Sequence, residues 1–326
     1  MIPKDLSVDN ISKIYKKIRP FINQTPFLKC PDDIDNYFST NLFFKCEFLQ
    51  KSGSFKARGA INNIISQDQN KFNKGITAVS AGNHAIAASF VANQFKLKNK
   101  IFLYESANKY RVQTCKNYGA NIIFTNPKQA FIDANNAQKE GYYFIHPFDG
   151  PYTLQGSATL GLEISNYFKI NNLNLDYLVI SVGGGGLISG VSSYIKQIFP
   201  NTKVIGVEPE GAQGLSQSFK RNKPLQNLNV NSIADSLSAP LHMKYSFDIA
   251  KKVVDEIVTV TDDQMREFMI FAHKNFKLML EPACVAGLAA IKYKLENKLK
   301  NMNTLLILCG SSIDSKSWNS LINYNG

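Results

Sequence analysis

Cysteine is sparse: five residues in 326, Cys30, Cys46, Cys115, Cys284 and Cys309, scattered and with no CxxC spacing. Such a set supports neither a disulfide framework nor a zinc site, so reduced thiols are expected. No apolar run approaches the roughly 20 residues a membrane-crossing helix needs. Residues 1–10 carry Lys4, Asp5 and Asp9 where a secretory leader is apolar, so a cytoplasmic location and no membrane partner are expected. Arginine is also scarce: of 37 basic residues only Arg19, Arg58, Arg111, Arg221 and Arg266 carry the guanidinium fork. The net charge of +12 therefore rests on dispersed lysines, as in 96–100 and 292–300, and no nucleic-acid partner is expected. A charged fraction of 19% against 44% hydrophobic residues excludes a disordered or collagen-like chain.

What is present is an alternation of short apolar runs with segments of helical period, the pattern of an α/β protein with mostly parallel sheets. Strands are expected at Leu42–Cys46, Ile76–Ser80, Ile101–Tyr104, Ile122–Thr125, Tyr143–His146, Tyr177–Val182, Val204–Glu208 and Leu305–Cys309. The length suits two domains with a cleft between the carboxyl edges of their sheets. Two strand-to-helix turns bear glycine, Ser80-Ala81-Gly82-Asn83-His84 and Ser181-Val182-Gly183-Gly184-Gly185-Gly186. Each puts free backbone N–H groups at a helix start, a ready anion site.

The tetraglycine turn is not a nucleoside-triphosphate loop, because Leu187 and Ile188 follow where lysine and serine or threonine belong. A dinucleotide site is the rival, but the first strand-turn lacks GxGxxG and Glu208 is followed at once by Pro209. A loop serving only tight packing is the plain alternative. Lys56 follows Ser52-Gly53-Ser54-Phe55; a solvated lysine is its ordinary reading. Desolvated and near Arg58, its amine would become a nucleophile able to form a Schiff base. A phosphate loop with such a lysine suggests pyridoxal phosphate.

Gly53-Ser54-Phe55-Lys56-Ala57-Arg58-Gly59-Ala60 closely resembles the cofactor-lysine motif of the serine/threonine dehydratases and serine racemases, of the tryptophan synthase β-type pyridoxal-phosphate enzymes. The resemblance runs on in order through residues 80–84, Tyr118-Gly119-Ala120, His146-Pro147-Phe148-Asp149, the tetraglycine turn, Gly206-Val207-Glu208-Pro209, Ile233-Ala234-Asp235 and Glu281-Pro282-Ala283. It implies the fold type II architecture: two open, twisted, mostly parallel sheets with flanking helices and the active site between domains. The larger, cofactor-binding domain would take 1–68 plus 148–326, and the smaller, substrate-gating domain 72–147. The resemblance implies that Lys56 tethers the cofactor and acts as the catalytic base. Phe55 would pack beside the ring, Asn83 meet its phenolic oxygen, Gly183, Gly184, Gly185, Gly186 and Leu187 hold the phosphate, Glu281 join the cofactor-binding set, and Cys309 meet the pyridine nitrogen. Ser80, Ala81, Gly82, Asn83, His84 and Ser236 would receive the substrate. A neutral thiol stabilises a pyridinium weakly, which disfavours transamination and leaves elimination of a β-hydroxyl.

The resemblance thus implies dehydration of L-threonine, L-serine or a related β-hydroxy amino acid to a 2-oxo acid and ammonia, in a homodimer. Where racemising relatives carry a serine that delivers a proton to the second face, this chain has Ala81, so serine racemase ranks below dehydratase. The family's divalent-cation site matches at Glu208 and Ala212, but Gly214 replaces its aspartate and no metal is assigned. Leu154, Ser157, Ser236, Ser311 and Ser312 also depart from the family pattern, which leaves 3-hydroxyaspartate dehydratase open. A binding module without catalysis is the non-enzymatic alternative. The chain ends shortly after Cys309, so no regulatory domain responsive to isoleucine is expected.

Overall fold

The computed structural model describes residues 2–80 and 82–323. Among these residues ten strands form two sheets: β1 (Phe27–Lys29), β2 (Asn41–Cys46), β3 (Ile76–Val79), β4 (Asn99–Tyr104), β5 (Ile122–Thr125), β6 (Tyr143–Phe144), β7 (Tyr177–Ser181), β8 (Lys203–Pro209), β9 (Glu256–Val260) and β10 (Asn303–Leu308). The six-stranded sheet runs β1-β2-β10-β7-β8-β9, the four-stranded one β5-β4-β3-β6. All pairs are parallel except β1 on β2, where Leu28 faces Phe44. The central strands read as unbroken apolar runs because helices cover both faces: Leu178, Val179 and Ile180 of β7 and Leu305, Leu306 and Ile307 of β10 are all buried.

Eight strands lie where the apolar runs predict them. Two go unpredicted, and both are sheet edges. β1 is only three residues long and partly exposed, which leaves almost no pattern to read. β9 is half-buried along most of its length; its run of β-branched residues, Ile257 to Val260, is a signal that would have found it.

Three helices set the geometry of the cleft. Lys56–Ile65 and Gly186–Ile198 both pack on the long helix Pro151–Ile170. The contacts are backbone against backbone: a Cβ on Gly156 would stand 2.5 Å from the Arg58 carbonyl oxygen, and one on Gly190 2.6 Å from that of Leu154. Pro151 starts the long helix, its fixed φ already helical and its missing N–H costing nothing there. Lys56 and Gly186 are each the first residue of their helix, so this packing fixes the lysine relative to the glycine turn. A bridge between Ser54 and Gly310, with the Phe55 N–H on the Cys309 carbonyl at 3.0 Å, ties the lysine segment to the end of β10.

Beneath this corner Arg58, Lys45, Glu47 and Glu163 form a fully buried cluster. Arg58 bridges both glutamates, with Nε to Glu47 at 2.7 Å and an Nη to Glu163 at 2.9 Å, while Lys45 reaches Glu163 at 2.6 Å. Two cations face two anions, so the cluster is neutral and each charge keeps a partner away from water.

Candidate active site

One cleft opens at the carboxyl ends of the parallel strands, where open α/β sheets place their ligands. β7 delivers Ser181 and the tetraglycine turn, β10 Cys309, β3 Val79 and Ser80, and β4 Tyr104. Phe55, Lys56, Gly82, Asn83, His84, Gly183 to Leu187, Ser236, Glu281 and Cys309 all line it, so the structure brings these sequence-predicted residues together. Ala81 lies outside the described residues.

Lys56 projects into the cleft with its amine 5.0 Å from the centre of the Phe55 ring and donating to the Pro147 carbonyl. Loss of solvent around the amine pulls its pKa down to about 8. The expected influence of Arg58 is corrected here. That guanidinium turns away into the cluster with Glu47 and Glu163, and burial alone lowers the Lys56 pKa.

The first-turn N–H groups of the helix Asn83–Gln94 have no intrahelical acceptors and are the natural seat for a carboxylate. Ser80 Oγ accepts the Gly82 N–H at 3.0 Å and shapes the turn. The His84 side chain departs from its expected part. Its Nε2 meets the Ile145 carbonyl at 2.8 Å and must carry the proton there, so Nδ1 is left as an acceptor only. Burial, then the nearby Lys56 ammonium, depress its pKa to about 3, so the neutral imidazole has no proton to offer a carboxylate. His146, also held near 3 by burial, accepts the Asp149 N–H at 3.0 Å and shapes the next turn.

Asn83 spends its amide nitrogen on Glu281 at 2.7 Å and Ser236 at 3.3 Å, which leaves its buried Oδ1 without a partner. Ser181 Oγ, buried in the same cleft, also lacks one. Around the tetraglycine turn, a Cβ on Gly184 would fall 2.2 Å from the Phe148 ring, and Gly185 sits at φ +90°. Packing and ligand access both demand glycine here. The test for pyridoxal phosphate is met: a desolvated amine, a glycine cradle opening a helix, and two buried polar atoms awaiting partners. Cys309 lines the same space, its thiol 3.8 Å from the Ala283 carbonyl and facing Cys284, whose own pKa burial pushes up.

Other predicted positions lie elsewhere. Glu208 is buried outside the cleft and accepts the N–H groups of Leu215 at 2.6 Å and Ser216 at 3.1 Å, capping the helix Gly214–Lys220. Ala212 sits in the preceding 3-10 turn. The His242 ring fills the space over Gly214, where a Cβ would meet Nε2 at 2.5 Å. No group of three or more metal-ligating side chains occurs among the described residues. Leu154 belongs to the helix core, and Ser157 donates to the Thr153 carbonyl. Ser312 acts through its backbone, its N–H on Glu281 at 3.0 Å.

Sequence reasoning missed Arg111. Carried on the helix Lys109–Asn117, it donates Nε to the Ser312 carbonyl at 2.8 Å, one Nη to Glu281 at 3.2 Å and the other to Asp235, and it packs against Gly82. Burial raises the Glu281 pKa, and Arg111 opposes that rise. The scarcity of arginine was the available signal: Arg58 and Arg111, two of the five, are buried hubs where a fork is needed. Tyr104 and Phe131 were also missed, and both line the cleft.

Comparison with known proteins agrees with this geometry. Phenylserine dehydratase of Ralstonia pickettii is 36% identical over 316 residues, 96% of this chain and 95% of that one. Serine racemase of Arabidopsis thaliana is 32% identical over 322 residues, 95% of each. The crystal structure of the T.th. threonine deaminase superposes with a TM-score of 0.88 at 29% identity, over 94% of this chain and 99% of that one. A family described as "Pyridoxal-phosphate dependent enzyme" matches residues 18–310, and with the lysine, the glycine cradle and the fold in agreement, the chain belongs to that family.

Proposed function

We propose that the protein removes the β-hydroxyl of a β-hydroxy amino acid and releases a 2-oxo acid and ammonia: pyruvate from serine, 2-oxobutanoate from threonine. The single observation that carries this is Lys56, a desolvated amine with a pKa near 8 in a cleft with a carboxylate seat on one side and a glycine cradle on another. Bound pyridoxal phosphate supplies an electron sink that acidifies the substrate Cα–H. The N–H groups of residues 183–187 would hold its phosphate, Lys56 would tether it, and Asn83, Ser181 and Cys309 would meet its ring substituents and edge. The Lys56 amine would take the Cα proton; its low pKa keeps a useful neutral fraction at physiological pH. The helix start at Asn83 holds the substrate carboxylate. Alanine before Gly82 has no proton for the opposite face, which favours elimination over racemisation.

Relatives named phenylserine dehydratase and threonine deaminase support a lyase of this kind. We place the segment 72–147 as a gating unit that closes on the rest of the chain. Asn83 and Arg111 support this, since both reach across to residues 235–236 and 281. A cytoplasmic homodimer completes the reading; five free, buried thiols suit a reducing compartment. The experiment is incubation of the holoenzyme with L-serine and L-threonine, scored for keto acid and ammonia, with borohydride trapping to place the cofactor on Lys56. D-serine as the main product, or label elsewhere than Lys56, overturns the proposal.

A further inference from the structure

We infer that the preferred substrate carries an aryl or similarly bulky apolar group on its β-carbon, and that Tyr104 and Phe131 select it. The inference rests on the lyase reading above and adds the substrate's side chain. Among the described residues the charged side chains lining the cleft are Lys56, Arg111, Asp235 and Glu281. Lys56 is committed to the chemistry. Arg111 has each of its three nitrogens on an acceptor, two of them carboxylates. A second carboxylate on the substrate would meet no free cation and two standing anions, so 3-hydroxyaspartate fits poorly.

One wall of the cleft is apolar. Val79 ends β3, Tyr104 ends its neighbour β4, and Phe131 enters from the helix Pro127–Lys139; all three belong to one packing cluster. The Phe131 ring lies 6.4 Å from that of Phe148, which covers Gly184, and 5.8 Å from His146, whose imidazole burial keeps neutral. Burial raises the Tyr104 phenol pKa, so this residue too is uncharged at working pH. A serine hydroxymethyl group leaves such a surface unused, whereas an aryl ring buries against it and finds edge and face partners.

The test is a panel of L-serine, L-threonine, threo-3-phenylserine and 3-hydroxyaspartate given to the holoenzyme, with kcat and KM measured by keto-acid release. The expected kcat/KM for phenylserine exceeds that for serine by about 10- to 100-fold, with 3-hydroxyaspartate last. Phe131→Ala and Tyr104→Ala each lower the phenylserine-to-threonine ratio of kcat/KM by about tenfold, mainly through KM, and Phe131→Leu lowers it less. A preference for serine or 3-hydroxyaspartate, or a ratio unmoved in both alanine variants, overturns the inference while leaving the lyase standing. An enzyme inert to the whole panel overturns the lyase reading and the inference together.

Discussion

Replacing Gly184 by alanine is expected to loosen the cofactor without abolishing the fold. The added Cβ would stand 2.2, 2.3 and 2.4 Å from three atoms of the Phe148 ring, whereas carbon atoms in contact settle about 3.5–4.0 Å apart. The turn or the ring must therefore move by more than about 1 Å. Phe148 has little room to retreat: it is 6% exposed, and its own backbone presses on Gly186. Overpacking of this kind costs about 1–3 kcal/mol. If the turn distorts in response, that cost falls on phosphate binding, and affinity for pyridoxal phosphate drops roughly 10- to 100-fold at about 1.4 kcal/mol per decade. Fluorescence titration of the apoprotein reads the loss directly. Adding Phe148→Ala to Gly184→Ala should recover part of it, so the double-mutant cycle shows coupling. Gly185 is the internal control. A methyl there meets only His242 and Ser189, at 3.9 and 4.0 Å, but φ is +90°. Gly185→Ala should lose affinity through backbone strain, with no rescue by Phe148→Ala. Wild-type affinity in Gly184→Ala, or no coupling to Phe148, refutes the argument.

Three other outcomes are expected. The lowered pKa of Lys56 means that its neutral amine is half populated near pH 8 instead of 10.5, so capture of pyridoxal phosphate by the apoprotein should accelerate from pH 7 to 9 and then level; a midpoint near 10 contradicts the burial argument. Arg58→Met strands Glu47 and Glu163 with Lys45 alone and should cost about 3–5 kcal/mol. At roughly 2 cal/mol/K of unfolding entropy per residue that lowers Tm by about 6 °C, and an unchanged thermal melt rejects it. Arg111→Met removes the bridge to Asp235, Glu281 and Ser312, so KM should rise about tenfold. Arg111→Lys should fall between, because one ammonium cannot reach three acceptors.

Much of the fold was legible because its strands are buried on both faces and therefore read as apolar runs with few interruptions. What escaped was the edge of the six-stranded sheet. β1 is three residues long and partly exposed, so it carries almost no pattern, whereas β9 does carry a legible run of β-branched residues, Ile257 to Val260. The motif residues were legible for a different reason. Lys56 sits in a contiguous eight-residue motif, and the helix start at Asn83 and the tetraglycine turn work through local backbone geometry, which leaves a local sequence signature. Their partners leave none: the side chain of His84 is spent on Ile145 by contact across 61 residues, and no pattern near His84 announces it.

The same distinction explains why Arg111 was invisible while Asn83 was not. Glu281 is buried, and burial raises its pKa; its carboxylate persists through one donor from Asn83, one from Arg111 and one from the Ser312 N–H. Those three donors come from helix starts and a loop separated by up to 229 positions, and only the tertiary fold gathers them on one carboxylate. Its charge state is therefore set by tertiary contacts and not by neighbours in the chain. Losing the Arg111 donor while Glu281 stays buried leaves desolvation less opposed, which favours the protonated carboxyl group. The acidic limb of the pH profile is then expected to move upward in Arg111→Met, and more so in a variant lacking Asn83 as well. A limb that stays in place in both would show that Glu281 draws its charge state from elsewhere.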